Sequence, residues 1–187
     1  TDSQAIVVDT IPSAVINAAV PFCSNSVRTT LTVVNSGGRF TPTSYIDTIG
    51  NFDPIIATAG SHKIFYTFTD GNGCSNTDSS VIVVDTIPSA AIDPAGPFCA
   101  NSVQVTLAVT NSGGRFTPTT YLDTAGQFDP SIATAGNHKI YYSFTDGNGC
   151  SNTDSSVIVV DTIPSAAIDP AGPFCANSVP VTLAATN

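Results

Sequence analysis

The sequence repeats itself with a period of 76 residues, and this feature constrains the fold more than any other. The phrase Val-Asp-Thr-Ile-Pro-Ser begins at Val8, Val84 and Val160. Two consecutive segments of this length align without gaps and differ at 17 of 76 positions. Such similarity predicts two copies of one small domain, and we expect further repeats on both sides. The predicted division is 1–11, the end of a preceding repeat; 12–87 and 88–163, two complete repeats; and 164–187, the start of a following repeat.

The residue types within one repeat predict an all-β fold. Glu, Met and Trp are absent, good helix formers are scarce, and β-branched residues and turn formers dominate. Residues 103–109 and 139–144 alternate between apolar and polar side chains, as half-buried strands do. About seven short strands are expected, the pattern of tandem immunoglobulin-like antiparallel β-sandwich domains of 76 residues each. The core positions predicted for the first repeat are Leu31, Val33, Ile64, Tyr66 and Phe68.

Two further features concern the chain between and beyond these strands. The Asp-Gly-Asn-Gly segment 146–149 predicts a type I′ hairpin turn, and the unbroken apolar run 156–160 predicts a closing strand buried on both faces or against a neighbouring domain. The junction 85–90 is short and contains a Pro, which favours a stiff joint over a flexible linker.

Charge and hydropathy exclude two classes of partner. A formal net charge of −9 opposes binding to a phosphate backbone, so we expect no nucleic-acid partner. No uninterrupted apolar stretch is long enough to span a bilayer, so we expect no membrane span in this window.

Each complete repeat has two Cys residues 51 positions apart. A small sandwich has a marginal core, so we predict the intradomain disulfides Cys23–Cys74 and Cys99–Cys150. The periodicity also permits a second register, in which Cys74 bonds to Cys99 and Cys150 bonds to Cys175. Either register implies an oxidising, extracytoplasmic compartment. Zinc is disfavoured because the sequence lacks a Cys-x-x-Cys motif.

The segment 136–151, with Pro97-Phe98-Cys99 and Gly114-Arg115-Phe116 before it, resembles the Ig-like or PKD-like tandem repeats of secreted Bacteroidota surface proteins, including gliding-motility adhesins. The repeat departs from the PKD pattern in lacking its Trp and its Phe-Gly-Asp-Gly run. The resemblance implies export through the outer membrane by the type IX route and service as a spacer or adhesin shaft.

The resemblance also implies candidate O-glycosylation at Asp-Thr followed by Ile or Ala, similar to the sequon of that phylum. The alternative is that the Asp of each pair simply caps a turn. The candidate residues are Thr10, Thr48, Thr86, Thr124 and Thr162.

No catalytic constellation is evident, and we expect the chain not to be an enzyme. His62 and His138 occupy one equivalent position, where a structural role is favoured over a general base. Calcium is the alternative cofactor hypothesis, because Asp85, Asp93 and Asp161 lie near the junctions between repeats. Otherwise no cofactor is expected.

The function indicated by the sequence is an extracellular array forming a stalk, filament or adhesin shaft at the cell surface. Its expected partners are neighbouring repeats and, in a filament, identical chains. The alternative is an adhesive module, in which exposed aromatics such as Phe65 or Tyr141 contact a glycan or another protein ligand.

Overall fold

A computed structural model describes residues 2–186, which form two compact units. The first extends to Ser89 and also includes Thr145–Asn152. The second comprises Ala90–Phe144 together with the chain from Thr153 onward. The short segment Thr145–Asn152 therefore belongs to the second repeat of the sequence but to the first compact unit of the structure.

The first repeat contains a four-stranded sheet, a two-stranded sheet and one helical turn. The four-stranded sheet has the order β1-β6-β5-β3, and β2 pairs with β4. All ladders are antiparallel except that between β1 and β6, which is parallel. The elements are β1 (Phe22–Cys23), β2 (Thr29–Thr30), β3 (Arg39–Phe40), β4 (Asn51–Phe52), α1 (Pro54–Ala57), β5 (Gly60–Thr69) and β6 (Ser75–Asp85).

The second repeat reproduces this arrangement, with the sheet order β7-β12-β11-β9 and the pair β10-β8. Residues 164–186 contribute one further antiparallel pair, β13 with β14. The elements are β7 (Phe98–Cys99), β8 (Val105–Thr106), β9 (Arg115–Phe116), β10 (Gln127–Phe128), α2 (Pro130–Ala133), β11 (Gly136–Thr145), β12 (Ser151–Asp161), β13 (Ala167–Ile168) and β14 (Ala185–Thr186). The all-β sandwich class predicted from the sequence is confirmed, with one parallel ladder in each repeat.

The long hairpin β5–β6 dominates each sandwich. Its register runs from Gly60 opposite Val84 to Thr69 opposite Ser75. Side chains of β5 alternate between the core and the surface, as expected for a strand with one solvent-exposed face. The hairpin thus places two strands of ten and eleven residues side by side, with its loop at one end and Asp85 at the other.

The predicted core is confirmed in the first repeat. Leu31, Ile64 and Tyr66 are buried, and Val33 and Phe68 pack against the same cluster while remaining partly exposed. The strand content differs in detail, because six strands form in each repeat where about seven were expected. The strand predicted at 103–109 is reduced to Val105–Thr106, and Leu122 forms only an isolated bridge with Phe128.

Two local predictions are wrong. Val157 and Val159 are exposed by 52% and 38%, so the closing strand is buried on one face only, because the outer face of its sheet is uncovered. The hairpin loop is not type I′, which needs two consecutive positive φ angles. Within the loop 70–73 of the first repeat only Gly73 has a positive φ, of 86°. Its N–H donates to the Asp70 carbonyl oxygen at 3.2 Å, as in a type I turn followed by a bulge glycine.

Among the described residues, no helix is both long enough and apolar enough to cross a membrane.

Candidate functional site: the inter-repeat disulfide

The strand β1 fixes the first cysteine at one end of the sandwich. Phe22 and Cys23 pair in parallel with Val84 and Asp85, the last residues of β6. Beyond them, the Ser24 N–H donates to the Asp85 carbonyl oxygen at 2.8 Å. Cys23 therefore lies at the end of β6 that is remote from the hairpin loop.

A tight turn also holds the backbone of Cys23. The Cys23 N–H donates to the Ser26 hydroxyl at 3.1 Å, and the Ser26 N–H donates to the Cys23 carbonyl oxygen at 2.8 Å. These two hydrogen bonds and the parallel ladder restrict the backbone of Cys23 and so fix the position from which its side chain extends.

The second cysteine is presented by the loop between β11 and β12. One carboxylate oxygen of Asp146 accepts hydrogen bonds from the N–H groups of Asn148 at 3.0 Å and Cys150 at 2.9 Å. The Asp146 N–H donates to the Cys150 carbonyl oxygen at 3.0 Å, and Gly149 takes the positive φ, of 87°, that closes the loop. The Asp-Gly-Asn-Gly-Cys sequence thus fixes where the Cys150 thiol points.

These two cysteines form a disulfide, here called the inter-repeat disulfide because it joins the first repeat of the sequence to the second. Cys23 and Cys150 are separated by 127 residues, and their Cα atoms are 5.5 Å apart. Cys150 is fully buried, within the same compact unit as Cys23. The bond is the covalent feature that links consecutive repeats in addition to the polypeptide backbone.

Neither predicted disulfide register is formed. Cys23 bonds to Cys150 rather than to Cys74, which leaves Cys74, Cys99 and Cys175 as free thiols. The physical reason for the failure of the intradomain pairing is the length of β6. Cys23 lies opposite Asp85, whereas Cys74 precedes the other end of that eleven-residue strand. At about 3.3 Å per residue the two ends are roughly 35 Å apart, far beyond the reach of a disulfide.

The two histidines have structural environments. The Nε2 atom of His62 lies 2.9 Å from the carbonyl oxygen of Thr58, a residue with a positive φ of 63°, and its ring packs edge-on against Tyr45. His138 repeats this arrangement with Thr134 and Tyr121. Each imidazole contacts the turn that follows the short helix and covers an aromatic cluster.

The candidate glycosylation residues differ in their surroundings. Thr48 is partly buried, and the other four threonines, Thr10, Thr86, Thr124 and Thr162, are exposed. The Asp before Thr48 caps a turn. One carboxylate oxygen of Asp47 accepts N–H bonds from Ile49 and Asn51, at 3.1 and 2.9 Å. The structure therefore supports the turn-capping interpretation at this position, and modification of the threonines stays a prediction.

Asp47 also carries the ion pair of the first repeat. Hydrogen bonds from Asn51, first from its side-chain amide and then from its backbone N–H, lower the pKa of Asp47, and Arg28 at 2.7 Å contributes less. The side chains of Arg28 and Asp47, together with Tyr45 and Asp53, line an open groove of about 280 Å³. The second repeat has an equivalent groove of about 340 Å³, in which Gln104 replaces the arginine.

The calcium candidates are not gathered into a ligand set. Asp85 and Asp161 end the long strands β6 and β12, and Asp93 is an exposed residue whose N–H bonds to the Ala108 carbonyl oxygen. Within residues 2–186 no group of three or more His, Cys or Asp side chains is placed to hold a metal ion. Calcium binding stays a prediction.

The exposed aromatics recur once per repeat. Phe65 is 40% exposed, with the Lys63 Nζ atom 5.2 Å from its ring centre. Tyr141 is 42% exposed and has the same relation to Lys139. Contact with a glycan or protein through these rings stays a prediction.

Comparison with known proteins finds similar solved structures but no match to a family model or a curated sequence. A solved structure of protocadherin gammaB7 EC3-6 in a cis-dimer is 12% identical, with a TM-score of 0.30, over 83% of this chain and 49% of that one. The SGBP-B protein of the Bacteroides ovatus mixed-linkage glucan utilization locus, in complex with a heptasaccharide, is 16% identical, with a TM-score of 0.26, over 86% of this chain and 47% of that one. The chain spans about half the length of each, and at such low identity and TM-score neither likeness assigns a function.

Proposed function

We propose that the chain is part of an extracellular structural array that forms a stalk, filament or adhesin shaft at a cell surface. The observation that carries this proposal is the inter-repeat disulfide, which gives consecutive repeats a second covalent connection. Disulfides of this structural kind persist in oxidising compartments, which supports placement outside the cytoplasm.

The position of the bond suits a protein that transmits tension. Because Cys23 and Cys150 close a loop of 127 residues, a force applied to the two chain ends passes through the disulfide before it reaches the residues between them. Those residues include most of both sandwich cores. The bond therefore protects two folded cores from extension, which benefits a stalk and has no evident use in a freely diffusing protein.

The near-identity of the repeats supports the same function. The loops 70–74 and 146–150 are identical in sequence, as are the strands 75–85 and 151–161 that follow them. Identical ends allow each repeat to follow another in the same way, so length can grow by addition of further copies.

Small-angle X-ray scattering on oxidised chains of two, four and six repeats tests the array. We expect the maximum dimension to rise almost linearly, by roughly 35–45 Å per repeat, since each sandwich is a separate small domain. The same chains in a reducing buffer are the matched control for the contribution of the disulfides. A dimension that levels off between two and six repeats would contradict the stalk and favour a compact binding protein.

A further inference from the structure

Two of the free thiols occupy the same positions in their repeats as the two bonded cysteines. Cys99 ends β7 as Cys23 ends β1, and Cys74 ends its hairpin loop as Cys150 ends the equivalent loop. We propose that Cys99 is the attachment point for the hairpin cysteine of one further repeat, and that Cys74 is the corresponding hairpin thiol for a preceding repeat. This inference rests on the proposed array and specifies how its members are joined.

The backbone around Cys99 is arranged as it is around Cys23. Cys99 lies opposite Asp161 in a parallel ladder, and the Ala100 N–H donates to the Asp161 carbonyl oxygen at 2.9 Å. The Cys99 N–H donates to the Ser102 hydroxyl at 3.1 Å, the same distance as in the bonded copy. Cys99 therefore has the geometry that Cys23 uses in its disulfide.

The hairpin thiols match in the same way. The Cys74 N–H donates to the Asp70 carboxylate at 2.9 Å, and the Asp70 N–H donates to the Cys74 carbonyl oxygen at 3.0 Å. Both distances equal those around Cys150. The bonded Cys150 is fully buried whereas Cys74 is only partly buried, as expected if a preceding repeat covers this position.

The disulfide already present indicates which cysteine should bond to Cys99. Cys150 is the hairpin cysteine of the repeat that follows the repeat of Cys23. Moving both members of the Cys23–Cys150 pair along the sequence by one repeat of 76 residues gives Cys99 and its expected partner. That partner is the hairpin cysteine of a repeat that follows residue 163. In the reaction two thiols lose two protons and two electrons, and one molecule of oxidised glutathione is reduced to two of glutathione.

A lengthened chain tests this inference directly. The variant has a second copy of residues 88–163 inserted after Ile163. It also carries the substitutions Cys74→Ser and Cys175→Ser, and Ser replaces the first cysteine of the inserted copy. Cys23, Cys99, Cys150 and the hairpin cysteine of the inserted copy remain. After oxidation with glutathione we expect no free thiol and a monomeric mass, because both inter-repeat bonds form.

Two matched controls accompany it. The original chain with Cys74→Ser and Cys175→Ser should retain one free thiol, and so should the lengthened chain with Ser at the inserted hairpin position. Trypsin cleaves after Arg28, Arg39, Lys63, Arg115 and Lys139, and after the equivalents of Arg115 and Lys139 in the inserted copy. These cleavages separate the four remaining cysteines into different peptides, so their partners can be read by mass spectrometry. Recovery of the peptide with Cys23 bonded to Cys150 shows that the chain has folded.

A persistent Cys99 thiol, a bond from Cys99 to Cys23 or Cys150, or a disulfide-linked dimer overturns the inference. If the lengthened chain does not fold, the mirrored variant decides, with the added repeat before Pro12 and Cys74 as the tested thiol. There we expect Cys74 to bond to the first cysteine of the added repeat. The outcome is independent of the scattering experiment, since a bent or compact array can carry the same bonds and a rod can lack them.

Discussion

At the scale of single residues, a buried tyrosine ties the sheet to a neighbouring turn. The Tyr66 hydroxyl donates to the Asn35 carbonyl oxygen at 2.6 Å and accepts the Gly38 N–H at 2.8 Å. A Cβ atom on Gly38 would meet the Thr67 carbonyl oxygen and the Tyr66 ring, so only glycine allows this approach. Alternation along β5 predicts that Tyr66 faces inward, but it cannot predict the two backbone groups that its hydroxyl satisfies.

We predict that Tyr66→Phe destabilises the first repeat by about 1–3 kcal/mol, because two backbone polar groups lose their partner. Urea denaturation measures the change. The matched control is Tyr141→Phe, which introduces the residue that the first repeat has at its equivalent exposed position and should change stability little. Equal effects of the two substitutions would show that the hydroxyl of Tyr66 contributes nothing specific.

At the scale of elements, the long hairpins were predictable and the short strands were not. Residues 61–66 of β5 alternate between exposed and more buried positions, so the period of two is visible in the sequence. A two-residue strand such as Arg39–Phe40 carries no period, and its partner is set by tertiary packing.

The disulfide register was missed for a related reason. The repeat length allows separations of 25, 51, 101 and 127 residues between a first cysteine and a hairpin cysteine, and periodicity cannot choose among them. The choice depends on β1 pairing in parallel with the far end of β6, which places Cys23 and Cys74 at opposite ends of one sandwich. The eleven residues from Ser75 to Asp85 were a usable signal, because an extended strand of that length separates the two cysteines.

At the same scale, the hairpin loop should control formation of the inter-repeat disulfide. We predict that Asp146→Ala lowers the effective concentration of the Cys23 and Cys150 thiols about tenfold, measured by equilibration with oxidised and reduced glutathione. Asp146→Ala removes two hydrogen bonds to a charged acceptor. A tenfold change corresponds to about 1.4 kcal/mol, so it requires only part of the roughly 1.5–3 kcal/mol that one such bond contributes.

Asp70→Ala is the control for that prediction. It removes the same two hydrogen bonds from an identical loop, but the cysteine of that loop is free. The thiol–disulfide equilibrium of Cys23 and Cys150 should therefore be unchanged. If both variants shifted it equally, the effect would be a general loss of stability rather than the presentation of Cys150.

At the scale of the whole molecule, the covalent connections determine how far the chain can be stretched. The inter-repeat disulfide removes 127 residues from the path between the two ends. The two intradomain bonds expected from the sequence would instead remove 51 residues each, 102 together. The two arrangements therefore differ in the length that reduction releases.

Single-molecule pulling from the two ends measures that length. At about 3.5 Å per extended residue, we predict that Cys150→Ser lengthens the fully extended chain by roughly 440 Å relative to the oxidised protein, whereas the intradomain arrangement would release about 360 Å in total on reduction. The gain arises because the 127 residues between Cys23 and Cys150 become part of the stretched path. Cys74→Ser is the matched control and should leave the extended length unchanged, since Cys74 is a free thiol. An increase of only about 180 Å for Cys150→Ser, with a similar increase for Cys74→Ser, would show that the cysteines pair within each repeat and that tension bypasses each core separately.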